Sequence, residues 1–201
     1  MNLLREYIRE MLLTEGAKNL DDLEAEDLYI YINRWDGGFM IELGDEESPA
    51  VTGEISVDKP SRSRDSRSRP GDPGPCGGAM MVSHSSATQG WGPLLYDLAM
   101  ELATETAGGL IADRGSVSEE ARAVWDYYLA NRGDTTGIQL DDLNNTLTPE
   151  DEDNCSQQVA ISDEQGNRMS KDWKDNPLSK RWTKQPTTLN ALRAGKRLVE
   201  E

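Results

Sequence analysis

The sequence predicts an α/β protein. It reads as a mixed sheet, an antiparallel meander followed by a β-α-β-α unit, with an N-terminal helix before it and an irregular C-terminal extension after it. Three observations predict this. Residues 27–57 hold three short runs rich in β-branched and aromatic side chains, separated by polar turns. Residues 79–131 alternate between apolar runs and stretches of helical periodicity. Residues beyond 135 are polar, with little sustained periodicity. The chain therefore divides into a helix at 1–18, an α/β domain at 19–135 and an extension at 136–201.

Composition bounds what such a domain can do. Among 201 residues, 21 Lys and Arg stand against 37 Asp and Glu, a formal charge of −16. That balance argues against a general phosphate-backbone binder, which needs a basic face. Hydrophobic residues make up 36%, and the mean hydropathy is −0.70, so a small core with long loops is expected. No apolar stretch is long enough for a membrane span. The N-terminus carries charges at short intervals, unlike a secretory signal. A cytoplasmic location follows. Cys76 and Cys155, 79 residues apart with one histidine, make neither a disulfide framework nor a zinc site. They read as reduced thiols, and no metal is expected.

Taken in order, Leu3, Leu4, Tyr7, Ile8, Met11 and Leu12 form an apolar stripe at helical spacing, with Arg5, Glu6, Arg9 and Glu10 opposite. Such a short helix docks on the body of the protein or on a partner. Residues 19–26 read as an acidic connector. Strands follow at 27–35, 39–43 and 50–57, the first two joined by the turn Asp36-Gly37-Gly38. Residues 58–78 change to alternating Ser and Arg and then to Pro and Gly, a loop without regular structure. Its arginines carry no interleaved aromatic residues for base stacking, which weighs against RNA.

Residues 79–84 read as a buried strand and 90–106 as a helix closed by Gly108-Gly109. Residues 110–112 form a short strand, and Ser118 heads a second helix to about residue 131. A strand-helix-strand crossover makes the two strands parallel neighbours. In the extension, Thr148-Pro149-Glu150-Asp151 reads as a helix start, and 187–199 as a terminal helix. The acids at 150–153 lack the ligand spacing of an EF-hand loop. Trp173 and Trp182 imply that 162–186 packs on something.

The chemistry centres on Gly90-Trp91-Gly92. A glycine turn between a buried strand and a helix exposes unpaired amides at the positive end of the helix dipole, suited to a diphosphate. A plain tight turn has the same composition. Ser85 is a hydroxyl donor beside it. His84 is placed to act as a base, with Glu54 on the third strand as the alternative, acting through water. Asp113 and Arg114 close the fifth strand as a surface pair, or Asp113 faces the cleft. Ser85 and His84 lack a third member and an elbow motif, which excludes a hydrolase triad.

On these residues the chain resembles the GNAT family of acyl-CoA-dependent N-acetyltransferases, over roughly residues 27–131 and most strongly 79–131. Gly90-Trp91-Gly92-Pro93-Leu94-Leu95 resembles the family's acyl-CoA loop and following helix, patterned Arg/Gln-x-x-Gly-x-Gly/Ala. The Arg/Gln position falls on Ala87, with Gln89 two residues on. Residues 110–113 resemble the adjacent strand and 118–125 the next helix. Trp125 occupies the position of the family's general-acid tyrosine, and Tyr128 lies three residues on. The resemblance implies a sheet splayed between the fourth and fifth strands. It implies acetyl-CoA as cosubstrate, held by Ser85, Gln89, Gly90, Trp91 and Gly92, and acetyl transfer to a small-molecule or peptide amine. Tyr128 would be the acid, and His84 or Glu54 the base. An acidic surface favours a cationic acceptor. The opening Leu3-Leu4-Arg5-Glu6-Tyr7-Ile8-Arg9 also resembles the start of proteins encoded by tailed phages. That implies host cytoplasm or virion, and a second class of function: a non-catalytic virion or host-interaction module, assembling with a protein partner or itself through its terminal helices.

Overall fold

The computed structural model describes residues 16–60, 72–88, 90–131, 133–157, 173–174 and 176–200. The expected helix at 3–15, most of the Ser/Arg stretch, Gln89 and much of 162–186 lie outside the described residues. Helix α1 (Leu20–Ala25) occupies the expected connector. It forms because Asn19 and Asp22 make a reciprocal capping box, and it buries Leu23. Strands β1 (Tyr29–Trp35), β2 (Gly38–Gly44), β3 (Gly53–Asp58) and β4 (Met80–Ala87) make the antiparallel meander. Gly37, at φ +104°, supplies the tight turn between β1 and β2. Between β3 and β4 the register slips at Ser56/Val57, so Ser83 is an extra residue and β4 bends there.

Helix α2 (Gly92–Thr106) crosses from β4 to β5 (Leu110–Ile111), and β4 and β5 are parallel, as the crossover requires. Helix α3 (Glu119–Asn131) follows, its first turn capped by Ser118 Oγ accepting from the Ala121 amide at 3.2 Å. Then come β6 (Thr135–Gln139), β7 (Lys180–Lys184), α4 (Thr187–Gly195) and β8 (Leu198–Glu200). Among the described residues, eight strands join one mixed sheet in the order β6-β7-β5-β4-β3-β2-β1-β8. Residues placed by sequence in an extension therefore complete the sheet at both edges. β7 inserts between β5 and β6, and β8 lies parallel to β1.

Three further expectations are corrected. No helix starts at Thr148. Residues 141–154 instead wrap around the buried Asp141 carboxylate, which accepts the amides of Asp142, Thr146, Leu147 and Thr148 at 2.7–3.0 Å. The terminal helix stops at Gly195, because Lys196 turns left-handed, and the chain continues as β8. Cys76 and Cys155 are not free thiols. They form a disulfide that fastens the 141–157 loop to the segment before β4. That bond also weakens the premise for a cytosolic location, since disulfides persist mainly in oxidising compartments. No helix among the described residues is long and apolar enough to cross a membrane.

The larger core lies on one face of the sheet, and a smaller buried cluster of Cys76, Ala79, Met81, Ile111, Leu140 and Cys155 is separate from it. Ile30, Ile32, Ile41, Leu43, Ile55 and Val57 alternate inward along β1–β3 and pack with α2, whose Leu95, Leu98, Ala99 and Leu102 are buried. On α2 lies a second layer of interactions. Glu101, fully buried, accepts the Thr188 and Leu189 amides at the start of α4, and its Oε1 lies 2.9 Å from the buried Lys184 Nζ. This ties α4 and β7 to α2.

Candidate functional site

β4 and β5 pair only at Met80–Leu110 and Met81–Ile111. β4 then runs six residues further, from Val82 to Ala87, without β5 beside it. The gap is bounded by the second half of β4, the start of α2 and the first two turns of α3. It holds a mostly apolar chamber of about 540 Å³, walled by Ala87, Gly92, Pro93, Leu95, Ala123 and Val124. A second chamber of about 230 Å³ lies beside it, more polar though also walled by Val82, Val117 and Trp125; it shares Ser85, Tyr96, Ser118 and Ala121 and adds His84, Asp113 and Ser116. Together they match the scale of small-molecule sites.

The glycine loop closes the larger chamber. Thr88 donates its amide to Thr52 O at 2.9 Å, and Trp91 its amide to Thr88 O at 3.2 Å. On the other side, Lys18 donates its amide to Gly90 O at 3.0 Å, and its Nζ sits 4.8 Å above the Trp91 ring. Trp91 is buried, so it anchors the loop rather than lining the chamber. Gly90, at φ +91°, would place a Cβ 2.3 Å from Gly16 O. Gly92 would place one in open space. Among the described residues no side chain caps the α2 N-terminus and no carbonyl takes the Gly92 amide. Neither chamber is lined by a lysine or arginine among the described residues, and Glu120 lines the larger one. An anion here would rest on peptide amides and the helix dipole alone.

His84 and Glu54, named as alternatives, are brought together. His84 Nε2 lies 3.3 Å from Glu54 Oε1, a diagonal pair across β3 and β4. His84 faces the polar chamber and is half exposed. Ser85 Oγ is 3.1 Å from the Tyr96 hydroxyl.

Tyr128 is not with them. Its hydroxyl donates to Asp97 Oδ1 at 2.7 Å, and its ring packs beside Trp125 and Trp182, under β7. It lines neither chamber. The phenol inside the cleft belongs to Tyr96, which the helical periodicity of 90–106 does not single out. The available signal was its spacing: Tyr96 is four residues after Gly92, hence on the same helix face one turn in. Burial pushes the Tyr96 phenol up, and the Asp113 charge adds to this, while the Ser85 hydrogen bond acts the other way. The phenol therefore keeps its proton at neutral pH.

Asp113 lines the polar chamber, and its Oδ1 accepts the Gly115 amide at 2.7 Å. Arg114 is not at the surface. It is 2% exposed, donates Nη1 to Ser156 O at 3.3 Å, and burial lowers it to about 10. Among the described residues no group of His, Cys, Asp and Glu is arranged to hold a metal ion. No family model, no curated protein and no solved structure matches the chain.

Proposed function

We propose that the chain is an acyl-CoA-dependent N-acyltransferase of GNAT type, moving an acetyl group from acetyl-CoA to an amine. One observation carries the reading: β4 and β5 part after two residue pairs, and the chamber opened there runs from an uncapped helix N-terminus to a polar pocket holding a base and a phenol. The apolar walls suit a pantetheine arm, and the Gly92 end suits the diphosphate.

The chemistry is balanced by the groups at hand. An acceptor ammonium gives one proton to His84, whose Nε2 is held by Glu54. The freed nitrogen lone pair attacks the thioester carbonyl, and a C–N bond forms. The C–S bond then breaks, its electron pair leaves on sulfur, and Tyr96 supplies the proton that makes the free thiol; the second proton of the attacking nitrogen leaves as the amide forms and restores the Tyr96 phenol through water, while His84 releases its proton to solvent. Tyr96 takes the acid role first assigned to Tyr128. Most of the rate would come from alignment and from proton transfer, the latter worth about 10²–10⁴-fold.

A second reading has its own support. The absence of a lysine or arginine along the described chamber walls, with Glu120 there, favours a non-catalytic module, such as a phage virion or host-interaction component, over a binder of a multiply charged nucleotide. Thermal unfolding with acetyl-CoA separates the two. A ligand at about 100 times its Kd stabilises by about 2.7 kcal/mol, a shift of roughly 5–11 °C for a chain this size. No shift at millimolar acetyl-CoA supports the module.

A further inference from the structure

The two edges of the sheet are built differently. β8 is three residues long, and charges guard it: Glu200 meets Arg34 at 2.8 Å and Arg193 at 3.4 Å, and Arg197 meets Asp27 at 2.7 Å. β6 is Thr135-Thr136-Gly137-Ile138-Gln139, without charge or proline, and its threonines and isoleucine favour a strand. Among the described residues its sole strand neighbour is β7. Leu140 donates its amide to Ser179 O at 3.1 Å, while Lys184, opposite Thr135, sends its amide away from β6 to Thr104 Oγ1 at 3.1 Å. Antiparallel alternation then turns the peptide groups of Thr136 and Ile138 toward β7 and those of Gly137 and Gln139 outward. Ile138 is 38% exposed, and Leu140, on the same face, is buried in the smaller core. An uncharged edge of this kind is a template for another strand.

We infer that β6 pairs antiparallel with β6 of a second copy of this chain, about a twofold axis at Ile138, joining the two sheets edge to edge. A second β6 matches the edge it meets in length, in β-forming side chains and in charge. An edge without charge gives an acidic or basic strand nothing to pair with, and a copy brings none. The contact is also self-complementary, as a twofold axis requires. Gly137 lies opposite Gln139 of the second copy and exchanges both peptide hydrogen bonds with it, and the axis repeats the exchange. Between these pairs Ile138 meets its own copy at a close, non-hydrogen-bonded position with Cα atoms about 4.5 Å apart, which covers both side chains and links the two smaller cores. The contact is small, so the association is micromolar rather than nanomolar. The −16 charge on each copy opposes it until salt screens it.

The test follows mass against concentration by sedimentation equilibrium on the full chain. The parent should pass from 22.3 kDa toward twice that mass, with a dissociation constant that falls as salt rises. Ile138→Lys sets like charges face to face across the axis and should raise the dissociation constant ~tenfold or more, with circular dichroism and Tm unchanged. Gly137 is left alone, since a Cβ there would meet the Trp182 ring at 2.9 Å. Ile138→Cys reports the register. Its Cα separation across the axis falls within the disulfide range of about 4.4–6.8 Å, so mild oxidation should give a cross-linked dimer. Thr136→Cys lies about 14 Å from its own copy in this register and should not cross-link. Cys76 and Cys155 are paired with each other and do not compete. A chain that stays at 22.3 kDa up to its solubility limit overturns the inference, whether the edge takes a strand of another protein or none. So does a dimer that Ile138→Lys leaves intact, one that dissociates as salt rises, or one in which Ile138→Cys does not cross-link.

Discussion

Gly90 and Gly92 are two residues apart, yet their substitution by alanine should have opposite effects on stability. At Gly90 the backbone is left-handed, which costs an L-residue about 1–2 kcal/mol. The new methyl would also meet Gly16 O at 2.3 Å, and backbone does not yield cheaply. Relief requires moving residues 16–18, which breaks the Lys18–Gly90 hydrogen bond, about 1 kcal/mol, and lifts Lys18 from the Trp91 ring, about 0.5–1 kcal/mol. Gly90→Ala should thus lose about 2–4 kcal/mol and melt roughly 4–16 °C lower. At Gly92 the backbone is helical and an added Cβ meets nothing within 4 Å. Gly92→Ala should gain about 0.5–1 kcal/mol by restricting the unfolded chain. Its methyl intrudes on the chamber wall, so stabilisation by acetyl-CoA should shrink, and in Gly92→Glu it should vanish, because a carboxylate occupies the anion's place. The assay is thermal unfolding with and without acetyl-CoA. A Gly92→Ala protein that melts lower than the parent would refute the open-space geometry. A Gly92→Glu protein that keeps the full acetyl-CoA shift would refute the assignment of the diphosphate to this loop.

Three further outcomes follow from buried polar groups. Lys184→Met removes the buried ammonium that Glu101 and Asp97 share and should cost about 3–5 kcal/mol by urea unfolding; combined with Tyr128→Phe the loss should be non-additive, because both contact Asp97. Burial pushes the Asp141 carboxyl up, but the amides of Thr148, Leu147, Asp142 and Thr146 more than offset it, so it titrates below the ordinary aspartate range. Its stabilisation is then complete above the unfolded pKa near 3.9 and lost as pH falls through the lower folded value; Asp141→Asn should cost about 3 kcal/mol at pH 7, with the deficit narrowing below pH 3 in acid titrations. Reducing the Cys76–Cys155 bond releases a link spanning 79 residues and should cost about 4 kcal/mol in denaturant unfolding; a loss under 1 kcal/mol would mean that the hydrogen bonds flanking it already fix the loop.

The meander and the crossover were legible because their signals are local. Alternation in β1–β3 and the periodicity of α2 depend only on which side chains face the core. The glycine loop, His84 and Glu54 stand out in the sequence as residue types, but the contact between the last two does not. The 3.3 Å pair depends on the β3/β4 register, which a single extra residue, Ser83, resets. Tyr128 was misplaced for a related reason. Spacing along α3 fixes which residues share a face, but not which face turns to the gap, and the Asp97–Lys184 cluster claims that one. The C-terminal strands were illegible because β7 is Lys-Arg-Trp-Thr-Lys, with three charges in five residues. Its lysine and arginine stems are stabilised by partners from distant segments: Arg181 bonds Gly77 O and Gly108 O, and Lys184 meets acids of α2.

The insertion of β7 between β5 and β6 has a consequence for biosynthesis. A nascent chain can assemble β1 to β4 and lay α2 across them, but the flank of β5 stays bare until residues 180–184 emerge. They follow β5 by about 70 residues, some 4–14 s of translation at 5–20 residues per second. During that interval the strand beside the cleft has an open edge and Trp182 has not arrived to cover Tyr128. Ribosome-bound fragments ending before residue 180 should therefore expose the apolar flank of α2 and adhere to one another or to chaperones, while fragments that include β7 should not.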